Sequence, residues 1–170
     1  MSQVPAWFER KFSFTFPLEL YPNLLVRLWG TPTRLEELIG HLAPAVLTTE
    51  SGDKWSAQEE AGHLLDMEPL WLTRVEDFFS ERDTLTVADL TNRKTHEANH
   101  NARAVGEILQ GFRDERLKLL TRVDNLGADS AARTVLHPRL RQPMRLIDHL
   151  YFVAEHDDHH LARIREMIQR

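Results

Sequence analysis

The sequence contains no cysteine. That excludes a disulfide framework and a catalytic thiol of the chain's own, and it limits any bound metal to histidine, aspartate or glutamate ligands. Glycine and proline are scarce, seven and eight in 170 residues, and they sit at the ends of the periodic segments. No apolar run approaches the roughly 20 residues needed to cross a bilayer. The opening stretch, MSQVPAWFERKF, lacks the apolar core of a secretory signal. There is no positive excess either. The net charge is −5, which argues against nucleic acid as the main partner, because phosphate binding needs a basic face. Repeats, low-complexity tracts and strand-like alternation are also missing. What remains is ordinary for a globular protein, 42% hydrophobic and 28% charged. The length suits one domain, residues 1–170, with a real core, and a cytoplasmic location is expected.

The periodic segments read as helices. Residues 1–30 are aromatic-rich and irregular, an arm with a short helix near 22–29. A helix is expected from Thr31, with Thr31 as cap and Pro32 at its first position, until Pro44 bends or ends it. SAQE, residues 56–59, is a capping box: Ser56 accepts from a backbone N–H and Glu59 reaches back. The helix it opens runs to about Phe79. A long helix is expected from about Lys94 to Val123, and a last one from about Met144 to Ile168. The segments between them read as connections, with no sheet beyond a stray bridge. Four amphipathic helices and an arm make an all-α four-helix bundle.

Histidine is in excess, nine residues. In EHDDHHLARI, His156 and His160 are four apart, so their rings lie on one helix face about 40° apart. Two imidazoles at that spacing can hold one divalent ion. His159 lies about 60° to the other side and is a poorer partner. A second pair with this spacing, His96 and His100, sits in the third helix, and spacing alone does not separate the two. His63 does. It lies two turns into the second helix among Ala61, Gly62, Leu64 and Leu65, at the margin of the core. It is either an uncharged core histidine bonded to backbone or a third ligand reaching His156 and His160. Three imidazoles would leave a coordination position open, the arrangement of a catalytic site.

The segments WSAQEEAGHLLDMEPLW and FVAEHDDHHLARI together resemble the DinB/YfiT-like superfamily of metal-dependent enzymes. The resemblance runs from about Thr31 to the end of the chain. It implies a four-helix bundle of up-down-down-up topology. It also implies a metal held by His63 from the second helix and by His156 and His160 from the fourth. His96 and His100 have no place in that triad and read as solvent-facing or at the mouth of the site. Asp157 and Asp158 read as solubilising.

A ligating imidazole usually donates its other N–H to a carboxylate, carbonyl or water. Glu59 and Asp66, one turn either side of His63, are the candidates to orient it, Asp66 the better because Glu59 is engaged in the cap. His149 is expected to line the pocket or to pack. Arg139, Arg141 and Arg145 would meet an anionic substrate, or else are solvated. With zinc or nickel the site would suit a hydrolase acting on a small molecule. The resemblance also implies a thiol-dependent transferase or isomerase, using a low-molecular-weight thiol as cosubstrate, and a homodimer for which the apolar arm offers a surface. The alternative is a non-catalytic metal-binding or interaction module.

Overall fold

The computed structural model describes residues 4–50, 52 and 54–169. Seven α-helices form among them: α1 (Tyr21–Ile39), α2 (Pro44–Leu47), α3 (Ala57–Asp77), α4 (Arg93–Glu97), α5 (Val105–Val123), α6 (Ala128–Ala131) and α7 (Leu146–Ile168). The four long ones, α1, α3, α5 and α7, make the bundle. Contacts fix their directions. Glu68–Arg116 and Glu76–Arg122 advance together along α3 and α5, which are therefore parallel. Tyr21–Val123 and Leu28–Arg116 run oppositely along α1 and α5, as do Glu60–His160 and Trp71–His149 along α3 and α7. The order is up-down-down-up. Two parallel neighbours need a long crossover, and residues 78–104 supply it.

The helix near 22–29 and the one from Thr31 are a single helix, α1, so the irregular segment stops at residue 20. Thr31 is not a cap; its hydroxyl bonds the Arg27 carbonyl one turn back. Pro32 sits inside the helix and has no N–H to give the Leu28 carbonyl. Arg116 Nη1, from α5, donates to that oxygen instead, at 3.2 Å.

The third helix is also broken. Asn99 takes a left-handed φ of 48°, and Gln58 Nε2 donates to the carbonyls of His100 and Arg103 at 2.6 and 2.9 Å. Those contacts hold a 3-10 turn, His100–Ala102, between α4 and α5. Finally, the last connection holds an antiparallel hairpin, β1 (Thr134–His137) and β2 (Gln142–Arg145), turned through Arg141 at φ 51°.

The capping box forms as read, with Glu59 N–H on Ser56 Oγ at 3.1 Å and Ser56 N–H on Glu59 Oε2 at 2.8 Å. Two apolar clusters fill the bundle. One gathers around Leu24, Leu28, Trp71, Leu119 and Val153, the other around Leu35, Leu64, Phe112, Leu161 and Ile164. The arm's Trp7, Phe12, Phe14 and Phe16 pack on the first cluster, so these four rings are not a free surface. A polar layer divides the two clusters.

Part of that layer is an ion cluster. Arg116 forks onto Glu68 at 2.6 and 2.9 Å and onto Asp157 at 2.6 and 3.0 Å. All three are buried. Burial works against the Arg116 charge, but the two carboxylates outweigh it and hold the guanidinium above its ordinary value. Asp157 is thus no solubilising residue. Asp158 is half-buried at the α1–α7 edge, where Arg27 and Arg34 bind it at 2.6 and 2.7 Å.

Candidate metal centre

The other part of the polar layer is histidine. α3 supplies His63 and α7 supplies His156 and His160 one turn apart. All three are buried, and each offers a nitrogen within 4.8 Å of the others'. The ring centroids of His63 lie 4.7 Å from His160 and 5.3 Å from His156.

The neighbours of each ring decide which nitrogen is free. His63 Nδ1 lies 3.1 Å from Thr95 Oγ1, which leaves Nε2. His160 Nδ1 lies 2.5 Å from Glu60 Oε2. Burial raises the Glu60 carboxyl to about 7 against the pull of Arg163, whose Nη2 is 2.6 Å from its other oxygen in an ion pair without hydrogen-bond alignment. When ionised, Glu60 accepts the Nδ1 proton of His160, and the Nε2 lone pair then points at His156 Nε2, 3.1 Å away. The remaining His156 nitrogen, Nδ1, is buried without a partner. Either His156 bridges to His160 through one proton, or two lone pairs face each other across a gap that a cation would relieve.

Burial keeps these rings neutral. It lowers His63 to about 2, helped by the charge of His160, and His160 to about 3, helped by Arg163; His156 falls well below its ordinary value. Three neutral imidazoles with converging nitrogens fit a divalent ion of intermediate softness. A cavity of about 570 Å³ opens beside them. Its walls include Trp7 of the arm and Trp71 of α3, whose rings stand 5.1 and 5.2 Å from His156, and Trp55, 4.8 Å from His63. The arm is pinned there by Arg10 on Glu155 and by Phe16 N–H on Asp148.

Neither sequence candidate for orienting His63 reaches it. Glu59 stays in the capping box. Asp66 Oδ2 bonds His100 Nε2 at 2.8 Å, and His100 is buried, not solvent-facing. Its ring lies over Gly62, where a Cβ would come within 2.3 Å of it. Burial pushes Asp66 up, but the His100 bond, Thr95 and Lys94 outweigh it and hold the carboxyl below its usual range. His96 is exposed, 5.5 Å from Trp55. His149 is buried and donates through Nε2 to the Trp71 carbonyl at 3.2 Å. The sequence reading missed Glu60, Thr95 and Trp7. Glu60 carries the one legible signal, an acid three residues before His63 in the first turn of the same helix.

The profile of the DinB superfamily matches residues 27–164. No curated protein matches the sequence. Among solved structures, one similar chain is YfiT from Bacillus subtilis, described as a probable metal-dependent hydrolase with an unusual four-helix bundle topology. It is 18% identical, over 95% of this chain and 93% of that one, with a TM-score of 0.83.

Proposed function

The chain belongs to the DinB superfamily, and from that premise we propose that it is a metal-dependent hydrolase with His63, His156 and His160 as the metal ligands. The observation that carries this reading is the convergence of three buried, neutral imidazoles at the wall of an open cavity. Three protein ligands with space beside them suit a catalytic site, where a structural site would be closed by a fourth. Zinc or nickel fits an all-imidazole set. A divalent ion bound there supplies Lewis acidity for hydrolysis.

The chain's own residues do the rest. Glu60 holds the Nδ1 proton of His160 and fixes that ring, and Thr95 orients His63. Trp7, Trp55 and Trp71 keep bulk water from the rings they touch. The cavity has the size of a small-molecule site. A sealed triad would have favoured a non-catalytic module. A thiol-dependent transferase would use the same cavity and differ in needing a low-molecular-weight thiol. A homodimer is part of the reading, supported by the exposed Val26, Trp29 and Leu117 on α1 and α5. So is a cytoplasmic location; among the described residues no helix is long and apolar enough to cross a membrane.

The deciding experiment starts from protein purified without a histidine tag or added metal. Elemental analysis should give one zinc or nickel per chain. Ester, amide and lactone substrates are then screened with and without added thiol. Turnover that chelation abolishes and that needs no thiol supports the hydrolase. Turnover only with thiol assigns the transferase, and metal-free protein that binds no divalent ion ends both.

A further inference from the structure

The far wall of the same cavity is cationic, with Arg74 and Arg139 side by side in its lining. Arg74 of α3 is 2% exposed, and its Nε donates to the Thr86 carbonyl at 2.9 Å. Arg139, in the hairpin turn, has a buried Nη2 with no acceptor. Among the described residues no carboxylate forms an ion pair with either guanidinium. The nearest acid along α3, Asp77, is taken up by the Thr86 N–H at 2.6 Å and by Arg82. The carboxylate lining the cavity, Asp89, is exposed and bound to Thr91 and the Arg93 N–H in its own turn. Burial lowers Arg74 to about 10, Asp77 opposing and Arg139 adding to the fall, and burial also lowers Arg139. A buried guanidinium, Arg74, beside a half-buried one, Arg139, neither with a carboxylate, is costly unless something neutralises them.

His137 sharpens the point. Its Nδ1 accepts from the Leu140 N–H at 3.2 Å, so in the neutral ring the proton is on Nε2. Burial, then Arg74 and Arg139, keep the ring neutral, its value lowered to about 3. Yet Nε2 lies 3.4 Å from Arg74 Nη1. Two donors face each other with no acceptor between them. The Trp71 indole N–H is also buried without an acceptor. All four residues line the cavity that the triad opens onto. Donors without acceptors on one wall describe the outline of an oxyanion.

We propose that Arg74, Arg139 and His137 form an oxyanion subsite, and that the substrate carries a carboxylate or phosphate at one end. Trp71 touches both ends of this arrangement. Its ring stands 5.2 Å from His156 and 5.6 Å from Arg74 Cζ. The anionic group, the group presented to the histidines and the spacer between them therefore all lie within reach of one indole. Phe152, 5.3 Å from His137 and 5.1 Å from Trp7, gives that spacer an apolar floor. The claim about substrate rests on the hydrolase reading; the claim about the subsite does not.

The test is calorimetric titration of chelated and metal-loaded protein with 3-phenylpropionate, phenyl phosphate and neutral 3-phenylpropan-1-ol. Both forms should bind at least one anion, and the alcohol should bind at least roughly tenfold more weakly. The stronger anion assigns carboxylate or phosphate. Arg139→Gln, at a half-buried position, should weaken anion binding by roughly 10- to 100-fold and leave the alcohol unchanged. Arg74→Gln should do the same, with circular dichroism as the folding check; if it does not fold, Arg139→Gln alone decides. Equal affinity for alcohol and anions overturns the subsite. So does anion binding that requires metal and ignores Arg139→Gln, since the anion would then sit on the histidines. Arg139-dependent binding without hydrolysis of any compound keeps the subsite and refutes the hydrolase.

Discussion

His156 and Asp157 are neighbours on α7, both buried, and they belong to opposite kinds of polar cluster. Asp157 enters a cluster in which Arg116 is met by two carboxylates and a carbonyl, each hydrogen bond made inside the protein. His156 enters one in which nitrogens converge and one is left without a partner. A buried polar group that is satisfied contributes to holding one arrangement of the chain, whereas one left unsatisfied costs free energy until a ligand arrives. The difference separates what fixes the bundle from what the bundle holds ready. One helical step, about 100°, is enough to pass from one to the other.

Acid is the largest way to break the comparison. Burial lowers His63 to about 2 and His160 and His149 to about 3. Because these folded values are depressed, the unfolded chain takes up protons first as pH falls below about 6.5. Each such histidine then costs stability at up to about 1.4 kcal/mol per pH unit, a loss complete near its folded value. Urea midpoints of chelated protein should fall steeply from pH 6.5 to 4.5. A flat profile there would mean that the histidines are not held neutral.

Next comes the satisfied cluster. Asp157→Ala leaves the buried Arg116 charge with one carboxylate, and should cost about 3–5 kcal/mol in urea unfolding. A loss under about 1 kcal/mol would erase the distinction drawn above.

The unsatisfied cluster should respond in binding and hardly in folding. Glu60→Gln replaces the carboxylate that holds the Nδ1 proton of His160 with a neutral amide, a weaker acceptor, and should weaken zinc or nickel binding by roughly 10- to 100-fold in a competition titration. The smallest stability change is expected for His156→Gln, about 1 kcal/mol, because His156 Nδ1 has no partner to orphan. Metal content should nevertheless drop from one per chain towards none. A large fall in melting temperature with metal content unchanged would exchange the roles of the two clusters.

Much of this was readable from local pattern. The capping box needs only Ser56 and Glu59, three residues apart, and the facing of His156 and His160 needs only their separation of four. The long helices declare themselves by periodicity, and the up-down-down-up order came with the family resemblance. What could not be read depends on partners distant in the chain. Asp157 looks like one more acid in EHDDHH until Arg116, 41 residues earlier, is placed against it. Arg116 itself sits in a charged stretch, RDERLKLL, with no sign of burial. Asp66 is one turn from His63 and still misses it, because His100 arrives over Gly62 and takes the carboxylate. The hairpin at 134–145 is too short for alternation to stand out, and the break before α5 depends on Gln58 capturing carbonyls from another helix.

Pro32 has a consequence beyond the shape of α1. A helix normally closes its own backbone ladder, whatever stability it then draws from packing. Here one rung is completed by Arg116, which also grips α3 and α7. The secondary structure of α1 is therefore finished only by tertiary assembly. The bundle has no independent first helix to fray away under partial unfolding. Amide protons on either side of Pro32 should exchange in the same cooperative event as those around Arg116, which makes the middle of α1 a reporter of the whole fold.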